Sequence, residues 1–285
     1  MKVLVLGATG MAGHLLSLYL LEQGHSVTTY SRRPLNIGRN ITGDISDPTF
    51  LAELLGSDDY DAVANCIGIL NQSAENDKAE AVYYNSYLPH LIVDLLADSP
   101  TKYIHLSTDC VFSGHTGPYT EYSLRDGETF YDRSKALGEV DDAKNLTLRT
   151  SIVGPDMNPS GIGLLNWFMK TGLQPIQGYS KAVWTGVTTL TLAEAIEAAI
   201  AQNLTGIYHL VNNESITKLD LLGLFNKYFK NSQQTITPSD TLVVDKSLVN
   251  TRKDFNFPVP TYHEMVKQMK AWVDAHSQTY PEYYL

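Results

Sequence analysis

The chain has 285 residues, 43% of them hydrophobic, enough to bury a full core and too apolar for a disordered or fibrous protein. Lysine and arginine number 21 against 31 aspartates and glutamates; the net charge of −10 excludes the basic stripe that sequence-independent nucleic-acid binding needs. With only two cysteines, Cys66 and Cys110, a disulfide framework is excluded, and neither stands in a cluster able to hold zinc or iron–sulfur.

Residues 2–6 form a short apolar run closed by Gly7, and Met11, Leu15, Leu18 and Leu21 follow at helical spacing: a strand, a tight turn and a helix. Led by Lys2, this opening imitates a secretory signal, but Gly7, Thr9, Gly10, Gly13 and His14 interrupt it. Later segments also fall short of the roughly 18 unbroken apolar residues of a membrane helix. The expectation is a cytoplasmic protein with no membrane partner, in which the NxS/T triplets at Asn40, Asn71, Asn145, Asn203 and Asn213 are coincidental.

The alternation continues with a strand over 25–30, a helix over 48–55 and a strand over 61–66. A long helix over 79–96, which Pro89 should kink, leads to strand 102–107, helix 131–140 and strand 146–150. Strands alternating with helices predict right-handed βαβ units in a parallel sheet covered on both faces. After Thr150 the stretch SIVGPDMNPSGIG concentrates glycine, proline and serine and reads as a crossing between domains. Helices are expected over 161–170, 189–201, 218–229 and 262–275, and strands over 206–211 and 241–244. The reading is an α/β, Rossmann-type doubly wound sheet in residues 1–153, completed by segments near 180–211, with a smaller C-terminal α/β domain over 154–285. The closing YPEYYL is either a docked tail or a partly ordered terminus.

Gly7, Gly10 and Gly13 follow the first strand and open the first helix, as a phosphate-binding turn requires. Their GxxGxxG spacing also suits close strand–helix packing. At the end of the second strand, Tyr30-Ser31-Arg32-Arg33 offers a hydroxyl and two guanidiniums where an acid would accept the 2′-hydroxyl of NAD; unless the arginines are merely solvated, this favours NADP(H), with NAD(H) also admitted. Tyr131 and Lys135 lie four residues apart on one helical face, where an ammonium favours a phenolate and equips the pair to move a proton at a carbonyl oxygen. They follow Ser107-Thr108-Asp109-Cys110-Val111-Phe112, whose hydroxyls lie at the carboxyl end of a strand, where open α/β sheets bind ligands.

The ordered combination GATGMAG, HLSTDCVFSG, YDRSKALGE and LRTSIVG resembles the extended short-chain dehydrogenase/reductases, and among them most resembles the dTDP-4-dehydrorhamnose reductases. The likeness extends to GPYTE near Pro118 and GIYHLVNNESITKLDLL from Gly206. It implies NADPH-dependent reduction of a 4-keto sugar joined to a nucleoside diphosphate. Tyr131 would be the acid, Lys135 would bind the nicotinamide ribose and lower the tyrosine pKa, and Thr108 would hold the carbonyl. Gly7, Thr9, Gly10, Met11 and Gly13 would line the pyrophosphate, Ser31, Arg32 and Arg33 the ribose phosphate, and Asp44 and Ile45 the adenine. Asn65, Cys66, Ile67 and Gly68 would line the rest of the cofactor site. Asn85 matches a family asparagine, or serves as a hydrogen bonder at the helix kink. Asp109, Val111, Phe112 and Trp184 would meet the substrate.

Family 4,6-dehydratases carry Thr-Asp-Glu where this chain has Thr108-Asp109-Cys110, which disfavours dehydration. Ser113 and Trp184-Thr185-Gly186-Val187 replace residues usual in rhamnose-type reductases, so the sugar or nucleotide is open. The rivals are a nucleotide-sugar epimerase and a binding module like the methionine adenosyltransferase β subunit, which resembles the same reductases. A homodimer is compatible with the reading. No metal is expected, since the eight histidines form no ligand cluster; Arg149, Lys170, Lys181, Arg252 and Lys253 are candidate diphosphate contacts.

Overall fold

The structure is a computed structural model that describes residues 1–284. Along the first half run β1 (Lys2–Leu6), α1 (Met11–Glu22), β2 (Ser26–Tyr30), β3 (Arg39–Ile41), α2 (Pro48–Leu55), β4 (Ala62–Asn65) and α3 (Asn71–Asn76). Then come α4 (Lys78–Ala81), a π-helical turn (Val82–Tyr87), α5 (Leu88–Leu95), β5 (Lys102–Ser107), α6 (Phe130–Leu137) and β6 (Leu146–Arg149). The second half holds β7 (Ile152–Val153), α7 (Leu164–Lys170), β8 (Ile176–Trp184), β9 (Val187–Thr188), α8 (Thr189–Ala201) and β10 (Gly206–His209). It closes with β11 (Ile216–Thr217), α9 (Lys218–Phe229), β12 (Ile236–Asp245) and α10 (Tyr262–Ala275).

Seven strands pair in parallel in the order β10-β6-β5-β4-β1-β2-β3. The chain reverses its direction of travel across the sheet between β1 and β4, the crevice where doubly wound folds bind ligands. Alternate residues feed opposite faces: Val3, Val5, Ala62, Ala64 and Ile104 pack with Leu15, Leu16 and Leu20 of α1 and Ile196 of α8. Leu4, Leu6, Val63 and Tyr103 pack with Leu51 and Leu54 of α2 and Ile92 of α5. Each such fully buried leucine stabilises the fold by roughly 1.5–3 kcal/mol, so both helical layers are firmly held. A smaller sheet, β11-β8-β12, carries α9 against β8, and β7 pairs with β9 between the two sheets.

Where sequence and structure differ, the reasons are local. The expected helix over 79–96 is divided into α4, the π turn and α5. Pro89 has no N–H for the Asn85 carbonyl, and the backbone widens one turn earlier to accommodate the ring. The helix expected over 131–140 begins at Phe130, set by a Thr129–Asp132 capping box, and ends at Leu137. Strand β12 is longer than the expected 241–244, and β8, unread in the sequence, pairs along it. Of the closing aromatics, Tyr280 and Tyr283 are buried; Leu285 lies outside the described residues.

Candidate active site

The turn after β1 is built by glycine. Gly7 has φ +79°, and a Cβ there would stand 3.0 Å from the Ile67 side chain; a Cβ on Gly13 would stand 2.3 Å from the Gly7 carbonyl. Only glycine lets α1 start this close to β1. Helices α2, α6, α8, α9 and α10 have their first N–H groups satisfied by an Asp or Thr side chain, but α1 starts at Gly10 with no side-chain cap. Its amides and partial positive charge are available to an anion.

A cavity of about 170 Å³ beside this turn is lined by Gly7, Thr9, Gly10, Ser31, Arg32, Ile45, Cys66, Ile67 and Gly68, together with Tyr30, Ile69, Glu80 and Tyr84. A neighbouring cavity of about 680 Å³ shares Thr9 and Arg32 and adds Arg33, Met157 and Asn158. These surfaces suit a dinucleotide: uncapped amides at one end, guanidiniums and an aromatic ring at the other. Glu80, on α4, and Tyr84, on the π turn, carry no motif that would mark them in the sequence, and the one trace of that turn is Pro89.

Several residues marked in the sequence also make hydrogen bonds that hold the walls. Ser31 is buried, donating to the Arg33 carbonyl at 2.6 Å and accepting from Asn40 at 3.0 Å, and so shapes the arginine loop. Asp44 accepts from the Ser46 amide and hydroxyl at 2.9 and 2.6 Å, closing the turn that presents Ile45. Asn85 accepts from the Ile69 amide and donates to the Ile69 carbonyl, both at 2.8 Å, and donates to Ser134 at 3.0 Å. These bonds tie the irregular helix turn to the loop after β4 and to α6. Met11 faces the Gly163 loop.

Beyond the Cys66–Gly68 turn, at the carboxyl end of β5, stand Thr108, Tyr131 and Lys135. The Thr108 hydroxyl donates to Asp109 at 3.0 Å and accepts from the Cys110 amide at 3.1 Å. Burial pushes the Tyr131 phenol far above its ordinary value, Cys110 adds to the rise and a hydrogen bond with Thr108 opposes it. Lys135 Nζ donates to the Leu106 carbonyl at 2.7 Å and lies 3.3 Å from His105 Nε2. Burial pulls this ammonium down to about 8, opposed by Glu139 and Cys66. Desolvation is the largest influence on the phenol and favours its protonated form. A neutral phenol is a proton donor.

Burial also raises the Asp109 carboxyl, with the Thr108 hydroxyl and the ammoniums of Lys246 and Lys218 opposing. It pushes the Cys110 thiol up to about 12, which favours its protonated form at neutral pH. Val111 and Phe112 are fully buried, Phe112 stacking on Tyr119 at 4.2 Å. Trp184 is also buried and donates to Ser151 at 2.8 Å. All three side chains are thus packed in the interior. Of the cations marked for a diphosphate, Arg149 is sealed against Glu139, Arg252 is held by Asp254 and two carbonyls, and Lys181 pairs with Asp240. Lys218 and Lys246 lie near Asp109, and Lys246 pairs with Asp132 at 3.6 Å.

A family model described as the RmlD substrate binding domain matches residues 1–248. The chain is 29% identical over 249 residues to the "Probable low-salt glycan biosynthesis reductase Agl14" of Haloferax volcanii, covering 84% of this chain and 77% of that protein. It is 29% identical over 220 residues to the spore coat polysaccharide biosynthesis protein SpsK of Bacillus subtilis, covering 74% of each. A solved dTDP-4-dehydrorhamnose reductase from Bacillus anthracis, in complex with NADP, superimposes with a TM-score of 0.79 at 18% identity, covering 95% of this chain and 99% of that one.

Proposed function

The chain belongs to the RmlD substrate binding domain family, within the NAD(P)-dependent oxidoreductases of the extended short-chain dehydrogenase/reductase type, and from that premise we propose that it reduces a 4-keto nucleotide sugar using NADPH. NADPH, when bound, supplies the hydride. The observation that carries the reading is the convergence of Thr108, Tyr131 and Lys135 beside a glycine turn shaped for a dinucleotide.

The uncapped start of α1 would hold the pyrophosphate, Arg32 and Arg33 the 2′-phosphate, and Ile45, Glu80 and Tyr84 the adenine end. Thr108 would position the ketone oxygen and the Tyr131 hydroxyl would protonate it as negative charge develops there. Lys135 would hold the ribose and keep a positive charge near the phenolate left behind. Lys218 and Lys246 would meet the diphosphate of the substrate. A thiol at Cys110, where the dehydratases carry a glutamate, supports reduction over dehydration. Nucleotide sugars and NADPH share the cytoplasm, where we place the enzyme. Val82 and Tyr87 on the π turn and Leu137 at the end of the adjoining α6 expose apolar surface, which supports a second copy as partner.

The test is loss of NADPH absorbance with dTDP-, UDP- and GDP-linked 4-keto sugars. Sustained consumption with one of them is the expected result. Tight binding of nucleotide sugars and cofactor without turnover of any of them would favour a binding module instead.

A further inference from the structure

Strands β4 and β5 pair in register with Asn65 opposite His105, and Tyr103 lies two residues back on the same face of the sheet. Lys135 reaches that face from α6. The side chains join in one line: Lys135 Nζ is 3.3 Å from His105 Nε2, and His105 Nδ1 is 3.2 Å from the Tyr103 oxygen. Asn65 Nδ2 donates to that oxygen at 2.8 Å, and Asn65 Oδ1 accepts from the Ile67 amide at 3.0 Å. Asn65, Tyr103 and His105 are wholly buried and Lys135 is 4% exposed. One end of the line thus lies at the centre of the proposed chemistry and the other in the wall of the proposed cofactor site.

Chemistry sets the direction of these bonds. An ammonium has donors and no acceptor, so a charged Lys135 requires a bare lone pair on Nε2. The ring proton then sits on Nδ1 and faces the Tyr103 oxygen. A second ring proton would set two desolvated cations side by side, and burial together with Lys135 holds His105 well below its ordinary pKa. The other titratable groups facing this pair are Cys66 beyond β4, Glu139 beyond α6 and His90 on α5.

We propose that His105 is a positioning residue: its neutral ring accepts from the Lys135 ammonium and, through Tyr103 and Asn65, ties that ammonium to the Cys66–Gly68 turn. This rests on the reductase reading of Lys135. Removing the acceptor strips the buried ammonium of one of its two partners, so His105→Leu should let Lys135 lose its proton about one pH unit lower. His105→Gln, whose Oε1 can stand where Nε2 stood, should restore it. A role in packing alone predicts the reverse order, since leucine fills the space without a polar atom.

The first measurement is imidazole ¹⁵N NMR of the full chain without cofactor. The expected His105 ring is neutral, carries its proton on Nδ1, and has an Nε2 signal that moves as Lys135 titrates near pH 8 and stands still in Lys135→Met. The second is NADPH affinity, read by energy transfer from tryptophan to the nicotinamide between pH 6 and 10. His105→Leu should lose affinity about one pH unit below the wild type, and His105→Gln should follow the wild type. A ring protonated on Nε2, a titration that survives Lys135→Met, or a glutamine variant no better than leucine would overturn the assignment. If His105→Leu does not fold, the two spectra still decide. A wild-type protein that binds neither NADPH nor NADH would instead overturn the reductase reading, and the ring spectrum would judge His105 separately.

Discussion

Glu139 and Arg149 meet in a two-point ion pair, Nε to Oε1 and Nη2 to Oε2 both 2.7 Å, with side chains 0% and 1% exposed. Glu139 also accepts from Ser107 at 2.6 Å and from Arg125 at 3.0 Å. Because Glu139 lies just beyond α6 and Arg149 ends β6, the pair fixes the helix bearing Tyr131 and Lys135 to the sheet. Glu139→Gln keeps the shape but strands a buried guanidinium, and should cost about 3–5 kcal/mol in urea unfolding. A loss under 1 kcal/mol would show the pair to be ornamental.

The same carboxylate makes a pH prediction. Burial pushes Glu139 up, but bonds from Arg149, Ser107 and Arg125 outweigh it and leave its pKa below the ordinary 4.5. A depressed carboxylate pKa gives stability that is complete above 4.5 and is lost as pH falls through the lower folded value. Unfolding free energy should therefore decline below about pH 4.5 in the wild type and more shallowly in Glu139→Gln. Parallel curves would refute the link.

Replacing Arg32 and Arg33 together with alanine should weaken NADPH binding by roughly 10- to 100-fold, the worth of charge-assisted hydrogen bonds to a phosphate, and leave NADH affinity nearly unchanged. Fluorescence titration with each cofactor measures this. Equal losses would mean that the arginines do not read the 2′-phosphate.

Tyr131→Phe removes one oxygen and should lower turnover about 10²–10⁴-fold while NADPH affinity holds. Cys110→Ala, at a thiol that burial keeps protonated, should keep turnover within a few-fold. A tyrosine variant with wild-type turnover would dismiss the phenol as acid.

The parallel sheet was legible because β1, β4, β5 and β6 are short apolar runs separated by helices with clear apolar faces. Strand β8 was not: its sequence IQGYSKAVW mixes glycine, serine and lysine, and it is a strand through pairing with β12 and packing against α9. Nor was β3, a three-residue RNI held by the register of β2. In the candidate site, motif residues such as Gly7, Thr108 and Lys135 stand out in the sequence because the chemistry proposed for them fixes their type and spacing. Tyr84 does not, since its place depends on a widened helix turn, nor does the Trp184–Ser151 bond, which joins residues 33 positions apart.

Tyr280 donates to His14 Nε2 at 2.9 Å while His14 Nδ1 donates to the Gly10 carbonyl at 2.9 Å. Burial, which outweighs the Gly10 bond, pulls the ring down to about 4, so it is neutral and able to accept. Tyr280→Phe should leave that nitrogen unpaired and cost about 1–3 kcal/mol, read as a lower Tm, with weaker NADPH binding because Gly10 opens the uncapped helix. An unchanged Tm would detach the tail from the turn.

That contact joins positions 266 residues apart. At about 5–20 residues per second, a ribosome releases the glycine turn roughly 15–50 s before it makes the tyrosine that braces it. Strand β10, at one edge of the large sheet, also arrives late. The glycine turn therefore waits, after its own synthesis, for a distant tyrosine to brace it, and chains halted before Tyr280 should lack whatever affinity the proposed cofactor site gains from that contact.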